Sequence, residues 1–148
     1  AGGSPAPASL AAALPVDGRA WIGLMSGTSC DGVSAAAVRF APGPTAHGAP
    51  LGFELLAHVQ RPYAPARRER LLAAMAGAPP AEYCRLHRDL GAWLADAAAE
   101  VMAAAGLAAH DVGAVASHGQ TVWHEPGHST WQLGDASTIA EALGVAVI

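Results

Sequence analysis

Hydrophobic and polar positions in this chain fall into short apolar runs, then a long helical period, then short runs again. The first run covers about Ala20 to Met25 and stops at Ser26-Gly27-Thr28-Ser29. The second resumes after Asp31-Gly32 and covers about Val33 to Phe40. Runs of this length bounded by Gly, Ser and Asp predict strands, and Asp-Gly between them predicts a hairpin, since Gly accepts positive φ without steric cost. The segment from Ala41 to Pro50 carries Pro42, Pro44 and Pro50 and reads as a loop. A third strand is expected over about Phe53 to Gln60, ending before Pro62, which makes an antiparallel meander.

Two helices follow. Pro65 suits a first turn, where a missing N–H costs nothing, and Leu71, Leu72 and Met75 lead to Gly77 as a stop. The second helix has the clearest period: Tyr83, Leu86, Leu90, Trp93, Leu94, Ala97 and Val101 recur at three- and four-residue steps. Glu82, Arg85, Arg88, Asp89, Asp96 and Glu100 fall mostly on the other side, and Gly106 closes the element. Such an amphipathic helix packs one face on a sheet. Val112 to Ala116 then reads as a strand that delivers Ser117-His118-Gly119-Gln120-Thr121. Trp123 to His128 reads as a loop, and Trp131 to Leu133 as a short strand ending at Gly134-Asp135. Ser137 to Leu143 reads as a helix stopped by Gly144, and Val145 to Ile148 as another buried strand.

The order βββ, helices, β, helix, β predicts an α/β fold. Its mixed sheet should have antiparallel outer pairs, parallel later strands, and helices covering the faces. Ala1 to Gly18, rich in Ala, Pro, Gly and Ser, reads as a flexible extension ahead of one domain over residues 19–148.

Composition narrows the function. With 52% hydrophobic and 14% charged residues among 148, the chain is globular rather than disordered. A net charge of −4 argues against nucleic acid as a partner. All eight basic residues are arginine, which excludes a Walker A loop, since that motif needs a lysine. Arg67, Arg68 and Arg70 read as the solvated face of a helix. Cys30 and Cys84 make no CxxC pair, which fits a reducing compartment. No apolar run approaches the roughly 20 residues of a membrane span, and the N-terminal stretch lacks a secretory pattern. A cytoplasmic protein without membrane partners is the expectation.

The candidate chemistry sits at the tip after the first run. Small residues at Ser26, Gly27, Thr28 and Ser29 let a ligand approach the backbone, whose N–H groups and neighbouring hydroxyls can meet anionic oxygens. This reads as a phosphate-cradling hairpin, with Asp31 able to hold Mg2+ through water. An ordinary Gly-rich turn is the plainer alternative. His118, Gly119, Gln120 and Thr121 are expected just past the end of a parallel strand, where open α/β sheets place ligands; capping of strand ends is the alternative. A third reading joins His118, His124 and His128 with Glu125 or Asp135 as a zinc site, although the histidines follow no recognised ligand spacing. Asp135 could cap the following helix or touch a ligand, and Ser137 could cap instead. Cys30 has no base near it in sequence, and Cys84 reads as packing.

Met25-Ser26-Gly27-Thr28-Ser29-Cys30-Asp31-Gly32 resembles the N-terminal M-S-G-T-S-x-D-G motif of the anhydro-N-acetylmuramic acid kinase family, within the actin/hexokinase/Hsp70 superfamily. His118-Gly119-Gln120-Thr121-Val122-Trp123-His124-Glu125-Pro126 resembles its H-G-Q-T-x-x-H-x-P motif, and Gln132-Leu133-Gly134-Asp135 its Q-x-G-D motif. The order and spacing of all three agree over about Ala20 to Ile148. The resemblance implies a ribonuclease-H-like half-domain with βββαβαβ order, as in actin-type ATPases. It implies ATP and Mg2+ as cofactors and a role in peptidoglycan recycling. Members open the 1,6-anhydro ring of anhydro-N-acetylmuramic acid with water and phosphorylate O6, giving N-acetylmuramic acid 6-phosphate. Gly27, Thr28, Ser29, Cys30, Asp31, Gly32, Val33 and Ser34 would then contact ATP phosphates. His118, Gly119, Gln120, Thr121 and Asp135 would line the sugar side.

Two departures qualify the resemblance. Ser34 stands where members commonly carry an acid. The family's catalytic aspartate is expected in a D-F-R-x-x-D-type segment beyond Ile148, so no catalytic residue is assigned within this chain. The resemblance therefore implies the N-terminal lobe of a kinase, inactive alone and homodimeric when full length. A non-catalytic nucleotide- or sugar-binding module and a histidine-cluster metal hydrolase are the alternatives.

Overall fold

The computed structural model describes residues 18–41 and 52–148. Except for Gly18 and Ala41, the expected extension and the proline-rich loop lie outside the described residues. The meander forms as β1 (Ala20–Ser26), β2 (Gly32–Phe40) and β3 (Phe53–Pro62). Two helices follow, α1 (Pro65–Ala76) and α2 (Pro80–Ala104). The chain then returns through β4 (Val112–Glu125), β5 (Ser129–Leu133) and α3 (Ala136–Leu143). The sheet order is β3-β2-β1-β4-β5. β1 and β4 run parallel, and the other strand pairs are antiparallel.

Strand alternation explains the core. Ile22, Leu24, Val33, Ala35 and Ala37 point to one face, where they bury against Leu71 of α1, Leu86, Leu90, Leu94 and Val101 of α2, and Ile139 of α3. Each fully buried large aliphatic side chain contributes about 1.5–3 kcal/mol. Both helical connections stack in this single layer, because α3 packs against α2 and places Ile139 in the same core. The expectation that helices cover both faces is therefore corrected: among the described residues one face is covered. The opposite face presents Gly23, Met25, Ser34 and Ala36.

Three further expectations change. β4 does not stop at Ala116 but continues through the His118–Thr121 motif to Glu125. Its polar half is a strand because β5 supplies ladder partners: Thr121 faces Gln132, Trp123 faces Trp131 and His124 faces Thr130. Backbone pairing there replaces the apolar pattern that a sequence reading needs. The expected loop from Trp123 to His128 thus shrinks to a turn over residues 126–128. The last segment begins a parallel pairing beside the lower half of β4, with Val147 opposite Val115, yet Ile148 is exposed rather than buried.

The arginine cluster is also not merely solvated. Arg70 reaches from α1 to two carboxylates of α2, Glu82 at 2.5 Å and Asp89 at 2.6 Å. The Arg67 guanidinium lies 4.7 Å from the centre of the Trp93 ring. Cys84, read as packing, is exposed, while Cys30 is buried.

Candidate functional site

The turn between β1 and β2 spans residues 27–31 and closes through the Cys30 N–H, which donates to the Gly27 carbonyl at 3.0 Å. The left-handed residue of this turn is Cys30, at φ 52°, and not Gly32 as the Asp-Gly signal predicts. Gly32 has a different reason to be glycine: a Cβ there would lie 2.4 Å from the Arg61 carbonyl oxygen of β3. Thr28, Ser29 and Asp31 are exposed, and only Ser29 Oγ, at 3.7 Å, approaches the space a Gly27 Cβ would fill. The tip therefore offers small hydroxyl side chains and room for an anion, and it fits a phosphate group. Asp31 is the one carboxylate on the turn and could meet Mg2+ through water when the ion arrives on phosphates.

Cys30 contributes backbone rather than a nucleophile. Its side chain is fully buried, with Sγ 3.5 Å from Met75 Sδ and 3.6 Å from the Thr28 carbonyl. Burial pushes the thiol pKa up, offset in part by Arg68, so the thiolate is disfavoured. Gly32 and Val33 are buried as well. Ser34 faces the open side of the sheet and donates to Gln60 Oε1 at 2.8 Å.

The two motifs meet beneath the turn. Ser26 and Gln120, at 1% and 0% exposure, are the buried polar residues among those described. The Ser26 hydroxyl donates to Gln120 Oε1 at 2.5 Å and lies 2.8 Å from the Tyr63 hydroxyl. The Gln120 amide donates to the Thr121 carbonyl at 3.0 Å. Burial raises the Tyr63 pKa, with the Ser26 bond acting in the opposite direction. Gln120 thus holds the strand to the turn, and its amide is already engaged. Tyr63 was missed by the sequence reading; its one signal is an aromatic residue directly after the strand-ending Pro62.

His118 is exposed on the open face, where it lines a shallow cavity of about 640 Å³ with Gly23, Met25, Ser34, His58 and Ser117. Met25 of the first motif, Ser34 two residues beyond that motif and His118 of the second therefore share one concavity. Ser117 Oγ is the buried side-chain oxygen without a hydrogen-bond partner among the described residues. Next along β4, Gly119 adopts φ +69°, and a Cβ there would stand 2.4 Å from the Leu133 carbonyl. That close approach brings the third motif against the second. His87 of α2, also missed in sequence, accepts from the Gly134 N–H at its Nδ1 and from the Asp135 N–H at its carbonyl, both at 3.0 Å.

Asp135 caps α3. Its carboxylate accepts from Thr138 Oγ1 at 2.5 Å, Ser137 Oγ at 2.8 Å and the Ser137 N–H at 3.1 Å. The Thr138 hydroxyl, then the Ser137 bonds, hold its pKa down at about 2. The histidine-cluster reading has no support in the geometry. His124 Nδ1 pairs with Thr130 Oγ1 and His128 Nδ1 with Ser129 Oγ. No group of three or more His, Cys, Asp or Glu is placed to hold a metal ion among the described residues.

Residues 19–148 match the family model described as anhydro-N-acetylmuramic acid kinase. A Xanthomonas campestris pv. campestris protein of that name is 43% identical over 131 residues, covering 84% of this chain and 33% of the relative. A Gloeobacter violaceus protein of the same name is 40% identical over 135 residues, covering 86% of this chain and 34% of the relative. One from Vibrio cholerae is 35% identical over 133 residues, with the same 86% and 34% coverage. The chain spans about a third of the length of the curated relatives it matches.

Proposed function

We infer that this chain, which belongs to the anhydro-N-acetylmuramic acid kinase family, forms the N-terminal part of an ATP-dependent sugar kinase. In the reaction we propose, the C1–O6 bond of 1,6-anhydro-N-acetylmuramic acid breaks and water oxygen adds at C1. O6 takes the γ-phosphoryl group, giving N-acetylmuramic acid 6-phosphate and ADP. The observation that carries this reading is the meeting of three motif segments around the end of β1 and the middle of β4. Phosphoryl transfer asks a protein chiefly to position phosphates and the acceptor and to neutralise charge.

In this reading the backbone and hydroxyls of Gly27, Thr28 and Ser29 bind ATP phosphates. Asp31 steadies Mg2+, which neutralises phosphate charge when bound. His118, on the same concavity as Ser34, faces the sugar, with Thr121 farther along its strand. Asp135 acts through the start of α3, since its carboxylate is held by Ser137 and Thr138. The full-length protein works as a cytoplasmic homodimer, and the chain alone does not turn over.

The test is an assay of the full-length protein with ATP, Mg2+ and the anhydro sugar in 18O-enriched water, read by mass spectrometry. The expected product is a 6-phosphate carrying the label at C1. ADP formation without that sugar phosphate overturns the reading. Ser34 favours a second reading, because its hydroxyl is engaged by Gln60 and brings no carboxylate to the turn. Under it, nucleotide or sugar binds to the full-length protein without turnover.

A further inference from the structure

We propose that Tyr63, Ser26 and Gln120 form a positioning relay that locks the 27–31 turn to the strand carrying His118, an inference that rests on the kinase reading of this site. Tyr63 holds both ends of the turn. Its hydroxyl lies 2.8 Å from Ser26 Oγ, just before the turn, and its N–H donates to the Asp31 carbonyl at 2.9 Å, at the turn's last residue. Ser26 has one proton and two acceptors in reach, Gln120 Oε1 at 2.5 Å and the Gly32 carbonyl at 3.4 Å; the nearer, Gln120, takes it, and neither acceptor can donate back. The Tyr63 hydroxyl must then donate to Ser26, so the bonds run in one direction from Tyr63 through Ser26 and Gln120 to the Thr121 carbonyl.

Chains of this kind polarise one another and favour a single geometry. The Tyr63 ring is itself fixed, edge-on to Trp93 of α2 with centroids 5.5 Å apart. A core that needed only stability would place apolar side chains at these positions, because buried polar groups cost free energy unless every partner is present. What the polar relay adds is registry between β1, the end of β3 and β4. That registry sets where Thr28 and Ser29 stand relative to His118. None of the three residues need touch a ligand; they act through the turn and the strand they join.

The experiment uses the full-length protein and compares Tyr63→Phe and Ser26→Ala with Tyr83→Phe. Tyr83 provides the control because its hydroxyl also makes internal bonds, donating to the Ala74 carbonyl and accepting from the Ala78 N–H, away from the turn. Tyr63→Phe and Ser26→Ala should each lower kcat/KM for ATP by about tenfold or more while the protein stays folded. Hydrogen exchange of the two N–H groups bonded at the turn, Cys30 to the Gly27 carbonyl and Tyr63 to the Asp31 carbonyl, should quicken by about tenfold in the same two variants. Tyr83→Phe should lower the melting temperature and leave both readouts at wild-type values. Turn exchange at the wild-type rate overturns the relay, as do kinetic constants within about twofold of wild type. A wild-type protein without turnover sinks the kinase reading, and the exchange comparison then decides the relay by itself.

Discussion

The space where a Gly32 Cβ would sit is occupied by the Arg61 carbonyl oxygen, 2.4 Å away, with Pro62 Cα at 2.9 Å. The start of β2 and the end of β3 therefore approach so closely that a methyl group cannot enter without moving backbone. Gly32→Ala should destabilise the domain by about 1–3 kcal/mol, the usual cost of forcing atoms into a packed site. Gly23, whose Cβ would meet nothing within 4 Å, should accept alanine within about 0.5 kcal/mol. Urea unfolding of the two variants checks the contrast, and equal midpoints would refute it.

Asp135 predicts a pH signature. Its folded pKa, about 2, lies below the ordinary 3.8, so its contribution is present above that ordinary value and is lost as pH falls through about 2. Asp135→Ala should cost about 1 kcal/mol at neutral pH, a typical value for a lost helix cap. The gap between variant and wild type should narrow as pH drops from about 4 towards 2, as read by chemical unfolding at each pH. A gap that stays constant would mean that the carboxylate charge plays no part.

Asp31 separates function from folding. Its side chain is exposed, while its carbonyl holds Tyr63, an interaction that a side-chain change leaves in place. In the full-length protein Asp31→Ala should leave the melting temperature near wild type and lower kcat/KM for ATP by about tenfold or more. Unchanged kinetics would remove Asp31 from the site.

Arg70 ties α1 to α2 through two different carboxylates while its side chain is 30% exposed. Partial exposure limits the gain, so Arg70→Met should cost about 1 kcal/mol. Arg70→Lys should recover less than half of that, because one ammonium cannot reproduce a planar fork directed at two partners. Thermal unfolding of both variants at low and high salt tests this, and full recovery by lysine would contradict it.

Much of the architecture was legible because periodicity reports which side of an element is buried. Leu86, Leu90, Leu94 and Val101 mark the covered stripe of α2 in sequence and lie fully buried in the fold. The polar half of β4 was not legible. His118 to Glu125 shows no apolar alternation, since its strand conformation is set by hydrogen bonds to β1 and β5. The turn was legible in position but not in cause, for Gly32 is required by β3, far along the chain, rather than by its own φ.

The sequence by itself determined the order of elements, the helical stripe, the glycine stops and the three short motifs, because these depend on local propensity and on spacing along one chain. Only the tertiary structure decided which motif residues stay exposed and which are spent inside. Ser26 and Gln120, 94 positions apart, became direct partners in a buried relay that begins at Tyr63, whereas Thr28, Ser29 and His118 remained exposed. The physical reason is that hydrogen-bond satisfaction in a closed core depends on distances between strands, and those distances exist only after the sheet has assembled.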